Sequence, residues 1–321
     1  MGEQHDFLEQ VTAVARRHGV DPGQVQEVAG GVANRGFVLG EHLFLRVSRP
    51  GYEDDLLKET RVVPAARQVG VLTPAIIEYD DTRRVIDAPY AVMERVHGTE
   101  PTELPTGLAE QLARLHQIEH TPPTTHPPVD ATAPRQNGEV AGAAHRGGGV
   151  ELAGLSEDGW GDPWRTIDDL ADRGYIDPGT ATWLTGWFTR LTQQIDGSGP
   201  KVLIHGDVAA HNLLAGPDND LRGLIDWGDA AWAPHAMEFA KLPLTQVAML
   251  LPDYLQHCQS PQTEHELAAA VLWFHLSWAL AKLPAAPWPG QRHWTAPTTS
   301  RLLGLLHFFT TAPPAPWSEL A

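Results

Sequence analysis

Two short segments place acids and an amide at spacings that chemistry can use. Val202-Leu203-Ile204-His205-Gly206-Asp207-Val208-Ala209-Ala210-His211-Asn212-Leu213-Leu214 runs from a buried strand into a Gly turn that presents one carboxylate, and an amide follows five residues later. Fourteen residues after Asn212, Ile225-Asp226-Trp227-Gly228-Asp229 repeats the design of apolar run, acid and Gly turn. Two acids and an amide on adjoining strand ends converge, and that convergence suits phosphoryl transfer, where catalysis is mostly positioning and neutralisation of phosphate charge. Asn212 and Asp226 offer hard oxygen ligands for Mg²⁺, which keeps several waters and shares its coordination with nucleotide phosphates. Asp207 is then left to orient a substrate hydroxyl and accept its proton. His205 reads as a packed, hydrogen-bonded member of the same loop, and His211 as a similar residue closer to substrate. Asp229 either caps its turn or approaches the metal.

The elements that must position these groups follow from periodicity. Met1 to His18 mixes charged and apolar residues at helical spacing and is closed by Gly19, which describes a surface helix and not a secretion signal or an anchor. Asp6 stands where an acylation signal needs Ser or Thr. From Val25 to Val47 the pattern alternates, punctuated by Gly30-Gly31 and Gly36, with two strands around a Gly40-Glu41-His42 turn. Leu56 to Val69 is helical and stops at Gly70, and apolar runs follow at Ala75–Ile77 and Ala91–Val96. This predicts a β-rich half with one main helix. Leu108 to Ile118 is a second amphipathic helix, and 121–161, dense in Pro, Gly, Ala and His, reads as a loop or cap. Beyond it Trp164–Leu170, Pro178–Ile195 and Glu264–Leu283 are helical, with short buried strands at Val202–Ile204 and Leu224–Ile225. The run Ala268–Leu283, interrupted by His275 and Lys282, is too short to span a bilayer and reads as a buried helix.

Composition excludes several function classes. At 321 residues the chain is long enough for two packed halves. Its one cysteine, Cys258, cannot pair within the chain, and His257 and His265 do not complete a zinc spacing, which fits a reducing, cytoplasmic setting. Lys and Arg total 23 against 40 Asp and Glu, a formal charge of −17 that repels nucleic acids and anionic membranes. A cationic ligand is compatible with that field, and so is an acidic surface that simply keeps the protein soluble. All 11 tryptophans lie from Trp160 onward, which separates the halves compositionally.

His205-Gly206-Asp207 with Asn212, followed by Ile225-Asp226-Trp227-Gly228-Asp229-Ala230, resembles the aminoglycoside phosphotransferase and choline kinase-like superfamily, relatives of the protein kinases. The resemblance extends over most of the chain: the Gly30–Gly40 hairpin, Arg46, Glu59, Tyr90 to Gly98, and Leu112-Ala113-Arg114-Leu115-His116. It implies an α+β bilobal kinase-like fold, with an N-lobe over 1–97 and a C-lobe over 98–321 that carries 121–161 as an insertion. It implies a Mg²⁺-dependent small-molecule O-phosphotransferase, with ATP or GTP as donor and Asp207 as base. Asn212 and Asp226 fall on the family's metal ligands. Gly30 and Gly31, Arg46 paired with Glu59, Met93, and the Glu94–Val96 backbone fall at its nucleotide site. Gly30-Gly31 reads equally well as an ordinary turn.

Departures are visible. Arg46 stands where kinase relatives most often place a lysine, and Glu238 stands in for a supporting Asp. The long activation segment of protein kinases is missing after Asp226. By resemblance the acceptor site is built from C-lobe helices and 121–161, with His211, Trp160, Asp162, Trp164, Asp168, Asp169, Asp172, Trp273, His275 and Trp278 as candidate lining groups. Acids there suit an amine-bearing ligand and tryptophans a sugar face. The acceptor expected is a hydroxylated antibiotic, cationic or sugar-bearing, and its modification a resistance reaction. The alternatives are a housekeeping metabolite kinase and a nucleotide-binding pseudokinase.

Overall fold

The computed structural model describes residues 2–28, 31–120, 152, 154–258, 262–286 and 299–321. Five antiparallel strands open the fold: β1 (Val25–Val28), β2 (Asn34–Leu39), β3 (Leu43–Ser48), β4 (Ile76–Asp80) and β5 (Tyr90–Glu94), in the order β1-β2-β3-β5-β4. Because side chains alternate along a strand, β3 serves both faces. Leu45 and Val47 join Phe37, Leu39, Tyr90 and Val92 in a buried cluster. Phe44 and Arg46 point the other way, with Ala91 and Met93.

Two helices cover these faces, the main helix that periodicity gave and the N-terminal one that it read as a surface helix. α1 (Gly2–Arg17) buries Val11, Val14 and Ala15 against the Leu45 face, so it forms a full layer. α2 (Glu53–Gln68) brings Leu56 and Glu59 to the Arg46 face. It begins three residues before the predicted Leu56, since Glu53, Asp54 and Asp55 in its first turn face the positive end of the helix dipole. β5 leads into a link tied to the second half by Thr99 N–H to Ala215 O (3.0 Å) and Ala215 N–H to Thr99 O (2.9 Å).

The second half is mainly helical: α3 (Leu108–Leu115), α4 (Pro163–Asp172), α5 (Pro178–Thr192), α6 (Leu244–His257), α7 (Glu264–Lys282) and α8 (Ser300–Thr310). α7 is apolar on nearly all sides because helices and the catalytic segments surround it, and Leu267 to Phe274 is buried without a break. Its start is fixed by a capping box between Thr263 and Glu266. α6 has no simple sequence signature because Pro243 precedes it and Pro252 lies inside it. Among the described residues no helix is long and apolar enough to cross a membrane.

Two small ribbons hold the candidate site residues. β6 (Val202–Ile204) pairs with β9 (Ala231–Ala233), and β7 (Leu213–Ala215) pairs with β8 (Leu221–Leu224). The loop from β6 to β7 therefore lies beside the loop from β8 to β9, which brings Asp207 and Asp226 together. Most of 121–161 lies outside the described residues. Its described end runs along β9, with Asp158 N–H donating to Trp232 O at 2.8 Å.

Candidate active site

The cleft between the sheet and the ribbons encloses about 640 Å³, lined among others by Gly31, Asn34, Phe44, Arg46, Met93 to Val96, Asp207, His211, Asn212, Asp226 and Asp229. That volume is in the range of small-molecule sites.

Asp207 sits on a turn that only glycine permits at the preceding position. Gly206 has φ +78°, and a Cβ on it would lie 2.2 Å from Asp229 O. The turn is held from below by Glu238, fully buried, which accepts from His205 N–H (2.7 Å) and Gly206 N–H (2.9 Å). Glu238 therefore reaches the loop despite its extra methylene, by bridging two successive amides. Burial opposes its ionisation, and His116, His205 and the donated amides outweigh burial, so its carboxyl lies below the ordinary value. His205 is itself buried, with Nε2 3.0 Å from Ile225 O and its ring 4.5 Å from that of Trp227. It ties the two catalytic loops together and does not reach the cleft.

Both oxygens of Asp207 are engaged. Asn212 Nδ2 donates to Oδ2 (2.8 Å) and to the Asp207 carbonyl (2.9 Å), and His211 Nε2 stands 3.4 Å from Oδ2. Lys241 Nζ lies 2.9 Å from Oδ1 and 2.8 Å from Asp229 Oδ2. Burial raises the Asp207 carboxyl, but His211 and Lys241 overcome it and hold the group well below the usual carboxylate range.

Arg46 forks between two acids. Nη1 donates to Glu59 at 2.6 and 2.8 Å, and Nη2 donates to Asp226 Oδ1 at 2.7 Å. The planar guanidinium meets Glu59 and Asp226 with separate nitrogens, a geometry that the point charge of a lysine does not reproduce. Glu59 is buried behind Arg46, so it acts on the cleft through Arg46; burial raises its carboxyl against the pull of the guanidinium. Asp226 takes the left-handed conformation (φ +67°), uncommon for a residue with a side chain, and is held there by Arg46 and by the buried Trp227, whose Nε1 donates to Thr73 Oγ1 (2.9 Å).

The residues present fit a divalent cation. Asn212 spends its amide nitrogen on Asp207, which leaves its carbonyl oxygen as a donor, and Asp226 spends Oδ1 on Arg46, which leaves Oδ2. Among the described residues no cluster of three His, Cys, Asp or Glu ligands forms. Two oxygens are nevertheless the usual protein share for Mg²⁺ completed by phosphates and water.

Arg46, Met93, Glu94, Val96, Gly31, Asp207, His211, Asn212 and Asp226 thus meet in one cleft. Gly30 lies outside the described residues. The expectation for Trp273 is corrected. Trp273 is 3% exposed and packs edge-on against Trp160, Phe188 and Phe274, so it is core. Trp278 is half-buried against the same core, Trp160 stacks on Phe274, and His275 Nε2 bonds Phe239 O. Trp164 and Asp168 are exposed on α4, as are Asp169 and Asp172, and Asp162 caps that helix. None of these lines the cleft. Amphipathic spacing placed them on helices without saying which face turns to the core.

Two groups at the site were not anticipated, Asp55 in the lining of the cleft and Lys241 beside it, on the carboxylates of Asp207 and Asp229. Asp55, in the first turn of α2, lines the cleft, and its carboxyl is raised by burial and by Asp229 and Asp226 against Lys58. Lys241 ends the 3₁₀ segment His235–Lys241. Its one sequence signal is its position three residues after Glu238, which in a 3₁₀ helix sets both side chains on one face.

Residues 24–270 match the model of a phosphotransferase enzyme family. Among solved structures the chain is similar to the GDP complex of aminoglycoside 2'-phosphotransferase-IIIa, with 17% identity, a TM-score of 0.61, and coverage of 94% of this chain and 97% of that one. It is similar also to macrolide 2'-phosphotransferase type I (18% identity, TM-score 0.53, 92% and 96% covered). A spectinomycin phosphotransferase in complex with ADP and spectinomycin aligns at 14% identity and TM-score 0.53, with 97% and 96% covered. These likenesses show a shared kinase-like fold. A comparison with curated proteins finds no match.

Proposed function

The chain belongs to the phosphotransferase enzyme family, and on that footing we propose that it moves the γ-phosphoryl group of ATP or GTP to a hydroxyl of a hydroxylated antibiotic or related natural product. The observation that carries this reading is the single cleft in which Asp207, bonded to Asn212, faces Asp226, bonded to Arg46. The named neighbours, which act on aminoglycosides, a macrolide and spectinomycin, support the acceptor class.

The nucleotide lies under the hairpin that carries Gly31, with its purine edge at the Glu94–Val96 backbone. Asn212 and Asp226 would hold Mg²⁺, which would draw charge from the phosphates. Arg46 supplies a second fixed positive charge. Asp207 accepts a hydrogen bond from the acceptor hydroxyl. The hydroxyl oxygen bonds to the γ-phosphorus as the bond to the β-bridging oxygen breaks, the electron pair leaves with the nucleoside diphosphate, and the hydroxyl proton passes to Asp207. An Asp207 carboxylate held well below its usual range is a weak base. That suits a loose transition state, in which the hydroxyl keeps its proton until bonding to phosphorus is advanced.

The test is mass spectrometry of purified protein with Mg²⁺ and ATP or GTP against antibiotics and hydroxylated metabolites, scored for one added phosphoryl group. Asp207→Ala abolishes transfer while nucleotide still binds. Asp226→Ala loses metal-dependent nucleotide binding as well. Modification of a metabolite and of no antibiotic moves the protein to primary metabolism, and equal turnover by Asp207→Ala removes the assignment of the base.

A further inference from the structure

We propose that Lys241 is a further catalytic residue, whose ammonium, seated on Asp207 Oδ1 and Asp229 Oδ2, donates to the phosphoryl group in flight between nucleotide and acceptor. The inference rests on the phosphotransfer reading above and adds to it a cation that the catalytic loop itself lacks. From His205 to Asn212 there is no Lys or Arg. Arg46 is committed to Glu59 and Asp226. Lys241 Nζ, at 2.9 Å, is the cation in contact with Asp207.

The donor count points to the phosphoryl group. An ammonium has three protons to give. Asp207 and Asp229 take two of them, at 2.9 and 2.8 Å, and the third remains for a further oxygen. Asp207 Oδ2 is served by Asn212 and approached by His211, so the acceptor hydroxyl meets the carboxylate on the side where Lys241 stands. The oxygens of the transferring group pass through that space, and a cation fixed there stabilises their charge without reorganising.

The position is also built and not incidental. Glu238 and Lys241 are three apart on one 3₁₀ segment, so the same face that holds the His205 and Gly206 amides delivers the ammonium. Lys241 is about three-quarters buried at its side chain. Its two carboxylate partners keep it charged against the cost of that burial. Arg301, from α8, reaches the same segment through Ala240 O at 3.4 Å, and its charge interacts with Asp207 from farther away.

The experiment compares wild type with Lys241→Met, Lys241→Gln and Lys241→Arg. It measures kcat for ATP consumption with and without a phosphorylated acceptor, KM for ATP, the dissociation constant of Mg-ATP, and the thermal midpoint. Loss of one preorganised charge donor predicts that Met and Gln lower kcat roughly 100-fold. Nucleotide affinity is expected to stay within about threefold, because the group acts on the phosphoryl only in flight. Arg restores a tenth or more of the wild-type kcat. Gln provides the measurement if Met does not fold. A purely structural clamp would lower the thermal midpoint and nucleotide affinity along with kcat and would not be rescued by Arg, and that result overturns the proposal. So does a kcat within threefold of wild type. If wild type binds Mg-ATP and consumes none with any acceptor or with water, the phosphotransfer reading itself has failed, an outcome that the wild-type arm alone reports.

Discussion

Replacing Glu238 tests whether the catalytic turn is held by a buried carboxylate from a remote segment. Glu238 accepts two backbone amides, His205 N–H at 2.7 Å and Gly206 N–H at 2.9 Å, and is 1% exposed. Hydrogen bonds to a charged partner contribute about 1.5–3 kcal/mol each, and a buried donor left unpaired adds its own desolvation cost. Glu238→Ala deletes both bonds and strands both amides, so about 3–5 kcal/mol of stability is lost. Glu238→Gln keeps one acceptor but turns an amide NH₂ toward a backbone N–H, for a loss of about 2–4 kcal/mol. Glu238→Asp, shorter by one methylene, reaches one amide at most and falls between wild type and Gln. With an unfolding entropy of about 2.1 cal/mol/K per residue, the chain of 321 residues loses about 6 °C of thermal midpoint for 4 kcal/mol. The assay is urea and thermal unfolding alongside phosphoryl transfer. Activity should fall more steeply than stability at temperatures where every variant is folded, because the turn that carries Asp207 is what moves. A Gln variant within 1 kcal/mol of wild type and within threefold of its activity would refute the reasoning and show that the turn is held by its own ribbon.

Three further outcomes are expected. Arg46→Met strands Glu59 in the core without its partner and should lower stability by about 3–5 kcal/mol, while Arg46→Lys, which keeps the charge but loses the bidentate hold on Glu59 and the reach of the fork to Asp226, should fold and show a raised KM for ATP; equal KM values would mean that the Asp226 arm of the fork is idle. Gly206→Ala places a Cβ 2.2 Å from Asp229 O at φ +78°, and transfer should fall at least about 100-fold with the fold retained by circular dichroism, whereas activity near wild type would contradict the turn geometry. His235 and His275 are both pushed down to about 4, chiefly by burial. Each therefore stabilises the fold above the unfolded pKa of about 6.5 and loses that contribution as pH falls from 6.5 toward 4. Linkage gives at most about 1.4 kcal/mol per ring at pH 5.5. His275→Gln should flatten the acid limb of a stability–pH curve, and an unchanged limb would remove this ring from the account.

Charge alone would have misled a search for the acceptor. The formal charge of −17 describes a surface that draws cations. Inside the cleft, however, the three acids nearest the proposed chemistry are already answered by the chain: Asp226 by Arg46, Asp207 and Asp229 by Lys241. An amine on the acceptor thus competes with Lys241 for the same oxygens and does not find them vacant. An acceptor that carries an ammonium group would meet Asp207 and Asp229 only by displacing that lysine.

What was legible in the sequence is what lies close along the chain. His205 to Asn212 and Ile225 to Asp229 each hold their polar groups within a few residues, and the turn residues that separate acid from strand are local signals, so the candidate constellation that shares one cleft could be read before any fold. The sheet could be read because β2 and β3 alternate about a tight Gly turn. Arg46 with Glu59 needed the family resemblance, since thirteen residues and a change of element separate them, and their bond at 2.6 Å depends on α2 lying across the Arg46 face of β3. The misplaced tryptophans show the opposite case. Trp273 lies on a helix apolar on nearly every side, where periodicity carries no phase, and only the packing of α5 and Trp160 around it decides that it is core. Lys241 was missed for a related reason. Nothing within the segment His235–Lys241 names its partner, and the partner is set by β6 pairing with β9, which folds that segment back beneath the loop carrying Asp207. A side chain that acts across such a pairing becomes visible only once the register is known, which is why Lys241 emerged from the structure while Arg46, on a strand that the resemblance covers, was named from the sequence.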